Sequence, residues 1–189
     1  DPRADRLYGE FYQLDMEMSF VDNGEEVRST IEPLIKSLVT DFSGKSLRNE
    51  DIPQIPYSES MDRFGSDKPD LRFGMELIDL SEELKACGFG VFSGAISAGG
   101  VVKAIKVSST FSRSQIDNLT ELAKKSGAGG LPYLVIENDT STSSIAKFFS
   151  EDDIKTVIKK TESKNGDVIF FGSDSREKVN KVLGSLRSH

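Results

Sequence analysis

Polar and apolar positions alternate strictly along residues 10–21. Phe11, Gln13, Asp15, Glu17 and Ser19 share one parity, and Tyr12, Leu14, Met16, Met18 and Phe20 share the other. That period of two predicts a β-strand. The period then lengthens. Val27, Ile31, Leu34, Ile35, Leu38, Val39 and Phe42 recur at helical spacing behind the cap-type residues Asp22 and Asn23, with Glu25 and Glu26 suited to a first turn. This helix is expected to end at Gly44, with Pro33 kinking or breaking it. After a loop holding Pro53 and Pro56, Ser58 is expected to cap a short helix, SESMDRFG, that stops at Gly65. The next segment, SDKPDLRFG, is polar and turn-rich.

Beyond Leu80 the texture changes. Four β-rich runs, GVFSGA, VVKAIKVS, LPYLVIEN and DVIFFGSD, alternate with polar helical stretches near 81–87, 112–126, 150–163 and 175–187. SRSQIDNL and SEDDIKTV each begin with a capping serine and carry an amide or acid three positions on. A hairpin is expected at SAGG, around Gly99 and Gly100, and DTSTSS (139–144) reads as a polar loop. Strands mixed with helices in this way indicate an α+β fold.

Charge sharpens the division. Residues 1–82 hold nine basic and nineteen acidic side chains; residues 83–189 hold fifteen basic and twelve acidic. A shift from −10 to +3 suggests two units. The acidic half repels a polyanion unless its arginines are locally focused, and the second half has only a weak basic footprint. No apolar run reaches the ~18 residues needed to cross a bilayer, and no secretory leader is expected. Cys87 is the single cysteine, which fits a reducing compartment, and His189 is the single histidine, so His-based metal sites and a Ser-His triad are not expected.

Glycine-rich segments do not make phosphate loops here. SGKS (43–46) has Val39 where a P-loop needs its first glycine, and it follows a helix rather than a strand. GFGVFS (88–93) has Ser93 in place of the third glycine of a dinucleotide fingerprint. GAGGLP (127–132) lies between a helix and a strand, the usual place for a glycine C-cap. Cys87 has no imidazole near it in sequence and reads as a small buried thiol.

The opening segment carries more chemistry. On a strand, Asp15 and Glu17 point to one face ~6–7 Å apart. Two like charges there cost energy unless a cation or ligand lies between them. Phe11 on the same face offers a plate for a flat base, and Arg3 and Arg6 could clamp phosphate in a bidentate way. The plain alternative is an amphipathic strand with a wet outer face. Lys68 and Arg72 in SDKPDLRF either solvate a turn or line a polyanion path, and pattern alone does not choose.

RADRLYGEFYQLDMEMSF closely resembles motif 2 of the class II aminoacyl-tRNA synthetases, specifically the bacterial-type aspartyl-tRNA synthetases. IPYSESMDRFGSDKPDLRFGMEL resembles the stretch that follows motif 2 in that family. GVFSGAISAGGVVKAIKV, SRSQIDNLTELAKKSGAGGLPYLVIEND, SSIAKFF, GDVIFFGSD and KVNKVLGSLR resemble the GAD domain, which is inserted in these synthetases and shared with tRNA-dependent amidotransferase subunits. The resemblance covers nearly the whole chain.

It implies two parts. Residues 1–80 would be a piece of the class II antiparallel-sheet catalytic core, and residues 81–189 an α/β GAD insertion domain. It implies an aspartate–tRNA ligase, which forms aspartyl-adenylate from L-aspartate and ATP with Mg²⁺ and then esterifies tRNA. The implied parent is cytoplasmic and homodimeric, and does not associate with a membrane. Phe11 would stack on adenine, Asp15 would hold the aspartate ammonium group, Arg6 and Leu7 would lie beside ATP, and Arg3 would meet the tRNA acceptor end. Leu7 departs from the glutamine common at its position, so only backbone and packing remain there. The family's arginine-aspartate-glutamate-aspartate run aligns upstream of Asp1 except for its last acid. No complete catalytic set and no metal ligands are therefore expected, and the chain alone is expected to be inactive. An amidotransferase docking module is the alternative, but it would not carry a motif 2 strand.

Overall fold

The computed structural model describes residues 12–138 and 140–189. Packing divides the chain into two units, one closing at Gln54 and the other running from Ile55 to His189.

In the first unit, helix α1 (Gly24–Phe42) begins as the sequence predicts. Asn23 caps it, its side chain accepting from the Glu25 N–H at 2.8 Å. The helix ends at Ser43, just before Gly44 in the left-handed region. The helix continues through Pro33 rather than breaking there. None of its residues is buried. Residues 12–21 are not a strand. The alternation that predicts one supplies two faces but no neighbour, and an unpaired ribbon has no ladder hydrogen bonds to hold it.

The second unit is built on a five-stranded antiparallel sheet, ordered β1-β2-β5-β3-β4. Its strands are β1 (Ile78–Asp79), β2 (Val101–Val107), β3 (Tyr133–Glu137), β4 (Thr140–Thr142) and β5 (Val168–Asp174). Both faces of the central pair are covered. Val102, Ala104, Ile169 and Phe171 join one core with Leu80, Leu84, Phe92, Phe149 and Val157. Val101, Ile105, Val168 and Phe170 join the other with Ala123, Val179, Val182 and Leu183. The helices follow from these faces. On the first side lie α3 (Ser81–Leu84), α4 (Gly90–Ser97) and α6 (Glu151–Thr161); on the second lie α5 (Arg113–Lys125) and α7 (Arg176–Arg187). Ser112 and Ser150 cap α5 and α6 in full capping boxes with Gln115 and Asp153. Gly127, at φ 107, follows α5 as expected.

Three local expectations are corrected. GVFSGA is helix α4, not a strand. Phe92 and Ile96 are buried or partly buried at i, i+4 spacing while Val91 faces solvent, so the run meets the core along one helical stripe. SAGG is not a hairpin. Gly99, at φ 82, ends α4, with the Gly100 N–H donating to Ala95 O, and feeds directly into β2. Part of DTSTSS is β4, which pairs antiparallel with β3 after Asn138 turns through φ 49.

Helix α2 (Tyr57–Phe64) belongs to the second unit by packing. It starts one residue before the expected Ser58 cap, because Pro56 sets the entering angle and accepts from the Ser60 N–H at 2.9 Å. It stops at Gly65, whose φ is 68. There α2 meets α7 with no room to spare. A Cβ on Gly65 would lie 2.1 Å from Asn180 O, and one on Gly184 would lie 2.4 Å from Gly65 O.

Candidate functional site

The residues singled out by sequence are distributed unevenly with respect to what is described. Arg3, Arg6, Leu7 and Phe11 lie outside the described residues. Asp15 is described and is exposed on non-strand backbone, with Gln13 Nε2 at 3.5 Å from its Oδ1. Glu17 is exposed too, and so are Tyr12, Leu14, Met16 and Met18. Both parities of the segment therefore face solvent, and the pattern of a ligand face backed by a buried face is not formed among residues 12–21.

The described residues place their ionic chemistry elsewhere. Lys103, in the middle of β2, is 0% exposed. Its ammonium group donates to Asp62 O at 2.9 Å and pairs with the Asp62 carboxylate. Arg176 joins the cluster from α7, bonding Asp62 Oδ1 at 2.7 Å and Asp79 Oδ2 at 3.2 Å. Burial pushes the Asp62 carboxyl up, but the hydrogen bonds from Lys103 and Arg176 outweigh it and hold the group below its ordinary value. Asp79 follows the same logic, with burial opposed by Ser81 and the two cations. The cluster fastens α2, β1, β2 and α7 to one another. Sequence reading missed Lys103, although a lysine inside the otherwise apolar VVKAIKV was the available signal.

SDKPDLRF is held from beneath. Arg187, 3% exposed near the end of α7, donates to the backbone oxygens of Asp70 (2.7 Å), Gly74 (3.0 Å) and Met75 (3.1 Å). Its guanidinium lies over the rings of Phe64 and Phe73, 4.9 and 4.5 Å from their centres. On the outer side of the loop, Arg72 binds Asp70 and holds that carboxyl down to about 2, whereas Lys68 stands in solvent. Cys87 is free and buried, and burial pushes its thiol up, as a packing role requires. Among the described residues no three His, Cys, Asp or Glu side chains converge in a way that could hold a metal ion, and no helix is long and apolar enough to cross a membrane.

Comparison with known proteins adds what geometry alone does not. Residues 92–183 match the GAD domain family. Over 190 residues and all of its length, the chain is 44% identical to an aspartate–tRNA(Asp/Asn) ligase of Aquifex aeolicus (strain VF5), covering 31% of that protein. It is 45% identical over 99% of its length to an aspartate–tRNA(Asp/Asn) ligase of Hydrogenobaculum sp. (strain Y04AAS1), again covering 31%. It is 47% identical over 99% of its length to an aspartate–tRNA ligase of Agathobacter rectalis, with the same 31% covered. The chain thus spans about a third of the length of the curated relatives it matches.

Proposed function

We infer that a chain with a GAD domain at residues 92–183, similar from end to end to about a third of aspartate–tRNA ligases, is the part of such an enzyme that runs from motif 2 into the inserted domain. Its parent activates L-aspartate with ATP to aspartyl-adenylate, releasing pyrophosphate, and then transfers the aspartyl group to tRNA. The observation that carries this reading is the extent of the similarity. It begins well before the GAD domain and includes the stretch that bears Arg3, Arg6, Phe11 and Asp15.

In this reading Phe11 stacks on adenine and Asp15 accepts hydrogen bonds from the substrate ammonium group. Arg6 and the backbone of Leu7 lie beside ATP, and Arg3 meets the acceptor end of the tRNA. Catalysis of this type rests on positioning and on stabilising charge at the phosphate. Mg²⁺ bound with ATP would neutralise its phosphates. The active enzyme is a cytoplasmic homodimer. Residues 10–21 become a strand once a neighbouring strand pairs with them, and the apolar face of α1 is then covered. The amidotransferase reading has less support, because similarity to a docking module alone would be confined to the later residues.

The test uses the longer protein that contains this chain. Aspartate-dependent exchange of pyrophosphate into ATP is expected. Asp15→Ala should raise the KM for aspartate far more than the KM for ATP, and Phe11→Ala should do the reverse. Exchange that requires a different amino acid, or a parent that forms no adenylate but amidates aminoacyl-tRNA, would overturn the reading.

A further inference from the structure

On the α5–α7 side of the sheet lies a cleft of about 320 Å³ that the proposed aminoacylation does not use. Ile105, Phe111, Leu119 and Phe170 are among its apolar walls, and Asn118 and Arg187 are among its polar groups. Its volume falls at the small end of ligand sites, and its lining, mostly apolar with a few polar groups, is typical of them.

Arg187 sets the chemistry. A nearly fully buried guanidinium is ordinarily paired with a carboxylate or phosphate, because an uncompensated charge is costly to desolvate. Among the described residues Arg187 forms no ion pair; the acceptors it reaches are backbone carbonyls. Its Nη1 has no hydrogen-bond partner among them. Arg187 is itself one of the residues lining the cleft. Met75, which also lines the cleft, sits at φ 61, a strained conformation for a residue with a side chain. Burial lowers the Arg187 pKa from its ordinary value, with Asp70 and Glu76 opposing that fall from a distance.

We propose that this cleft binds a small organic anion, a carboxylate on a compact apolar or aromatic body, with the anionic group meeting Arg187 and the body lying against Phe111, Leu119 and Phe170. A guanidinium nitrogen with no partner among the described residues, in a cleft that Gln115, Asn118 and His189 also line, suits a monoanion. A phosphate dianion would lose far more hydration than these groups return. Exposed Asn118, on α5, supplies the rim amide. The inference is independent of the proposed ligase activity.

The experiment is a titration of the full 189-residue chain with phenylacetate, and in parallel with its neutral counterpart phenylacetamide, followed by amide resonances. Phenylacetate should shift β2, α5 and the end of α7 saturably and bind at least about ten-fold more tightly than phenylacetamide. Asn118→Asp places a carboxylate at the exposed rim, away from the core; it should weaken phenylacetate about ten-fold while leaving the Tm and phenylacetamide binding unchanged. Leu119→Trp should fill the cleft and abolish both. Equal binding of the two compounds would reduce the site to an apolar hollow and overturn the proposal, as would the absence of saturable shifts.

Discussion

Helices α1 and α7 are both written in amphipathic code, and they fare differently. The nineteen residues of α1 include Ile31, Leu34, Ile35, Leu38 and Phe42 at helical spacing, yet none of its residues is buried. The twelve residues of α7 bury Val179, Val182, Leu183 and Leu186, together with Gly184 against Gly65 and Arg187 against the 70–75 loop. Periodicity specifies which face of a helix requires cover. It does not supply the cover. In the second unit the sheet and α5 meet α7, whereas among the described residues nothing meets α1 in that way. Local signals still hold α1 in register: the Asn23 cap, the acidic first turn and the Glu32–Lys36 pair at 2.7 Å.

The contrast is broken most forcefully through the buried cation of the second unit. Asp62→Ala leaves the Lys103 ammonium inside the fold with a backbone carbonyl but no carboxylate, and should cost about 3–5 kcal/mol in chemical denaturation. Adding Lys103→Met to the same chain should recover most of that loss, since the charge that lacked a partner is gone. Next in size is Leu134→Ala in the fully buried centre of β3, expected to cost about 2–5 kcal/mol by the same measurement.

The difference between those two probes is also a lesson in legibility. Leu134 is recognisable in sequence because LPYLVIEN is a β-type run bounded by turn residues. Lys103 is hidden because its role depends on α2 and α7 arriving beside β2 from forty and seventy positions away in the chain, roughly counted. The caps at Asn23, Ser112 and Ser150 were legible for the opposite reason: each is satisfied within a few residues. GVFSGA was misread as a strand because a short apolar run has no period of its own, and only its burial stripe through Phe92 and Ile96 reveals a helix. For the candidate nucleotide site, the order of residues around Phe11 and Asp15 was readable. Its geometry was not, because a strand exists only when another strand pairs with it.

Acid provides a smaller probe of the second unit. Asp62 and Asp79 are held below their ordinary values in the folded chain, so they bind fewer protons folded than unfolded near pH 4. Their contribution is fully present above the unfolded carboxylate value of about 4 and is lost as pH falls through the lower folded values. Thermal unfolding of the sheet should therefore shift to lower temperature below about pH 4, and Asp62→Asn should flatten that dependence. The smallest effect is expected in α1. Leu38→Ala removes as many atoms as Leu134→Ala, but from an exposed position, and should change the stability of the second unit by less than about 0.5 kcal/mol.

The central claim is that residues 55–189 are held by their own two cores while α1 draws on cover that the described residues do not provide. Native-state hydrogen exchange on the full chain tests it most directly, read amide by amide. The account predicts that β2 and β5 amides exchange only with global unfolding, and that amides in the middle of α1, from Ile31 to Val39, exchange at least about a hundred-fold faster, as an uncovered helix should. Equal protection of α1 and β2 would contradict it.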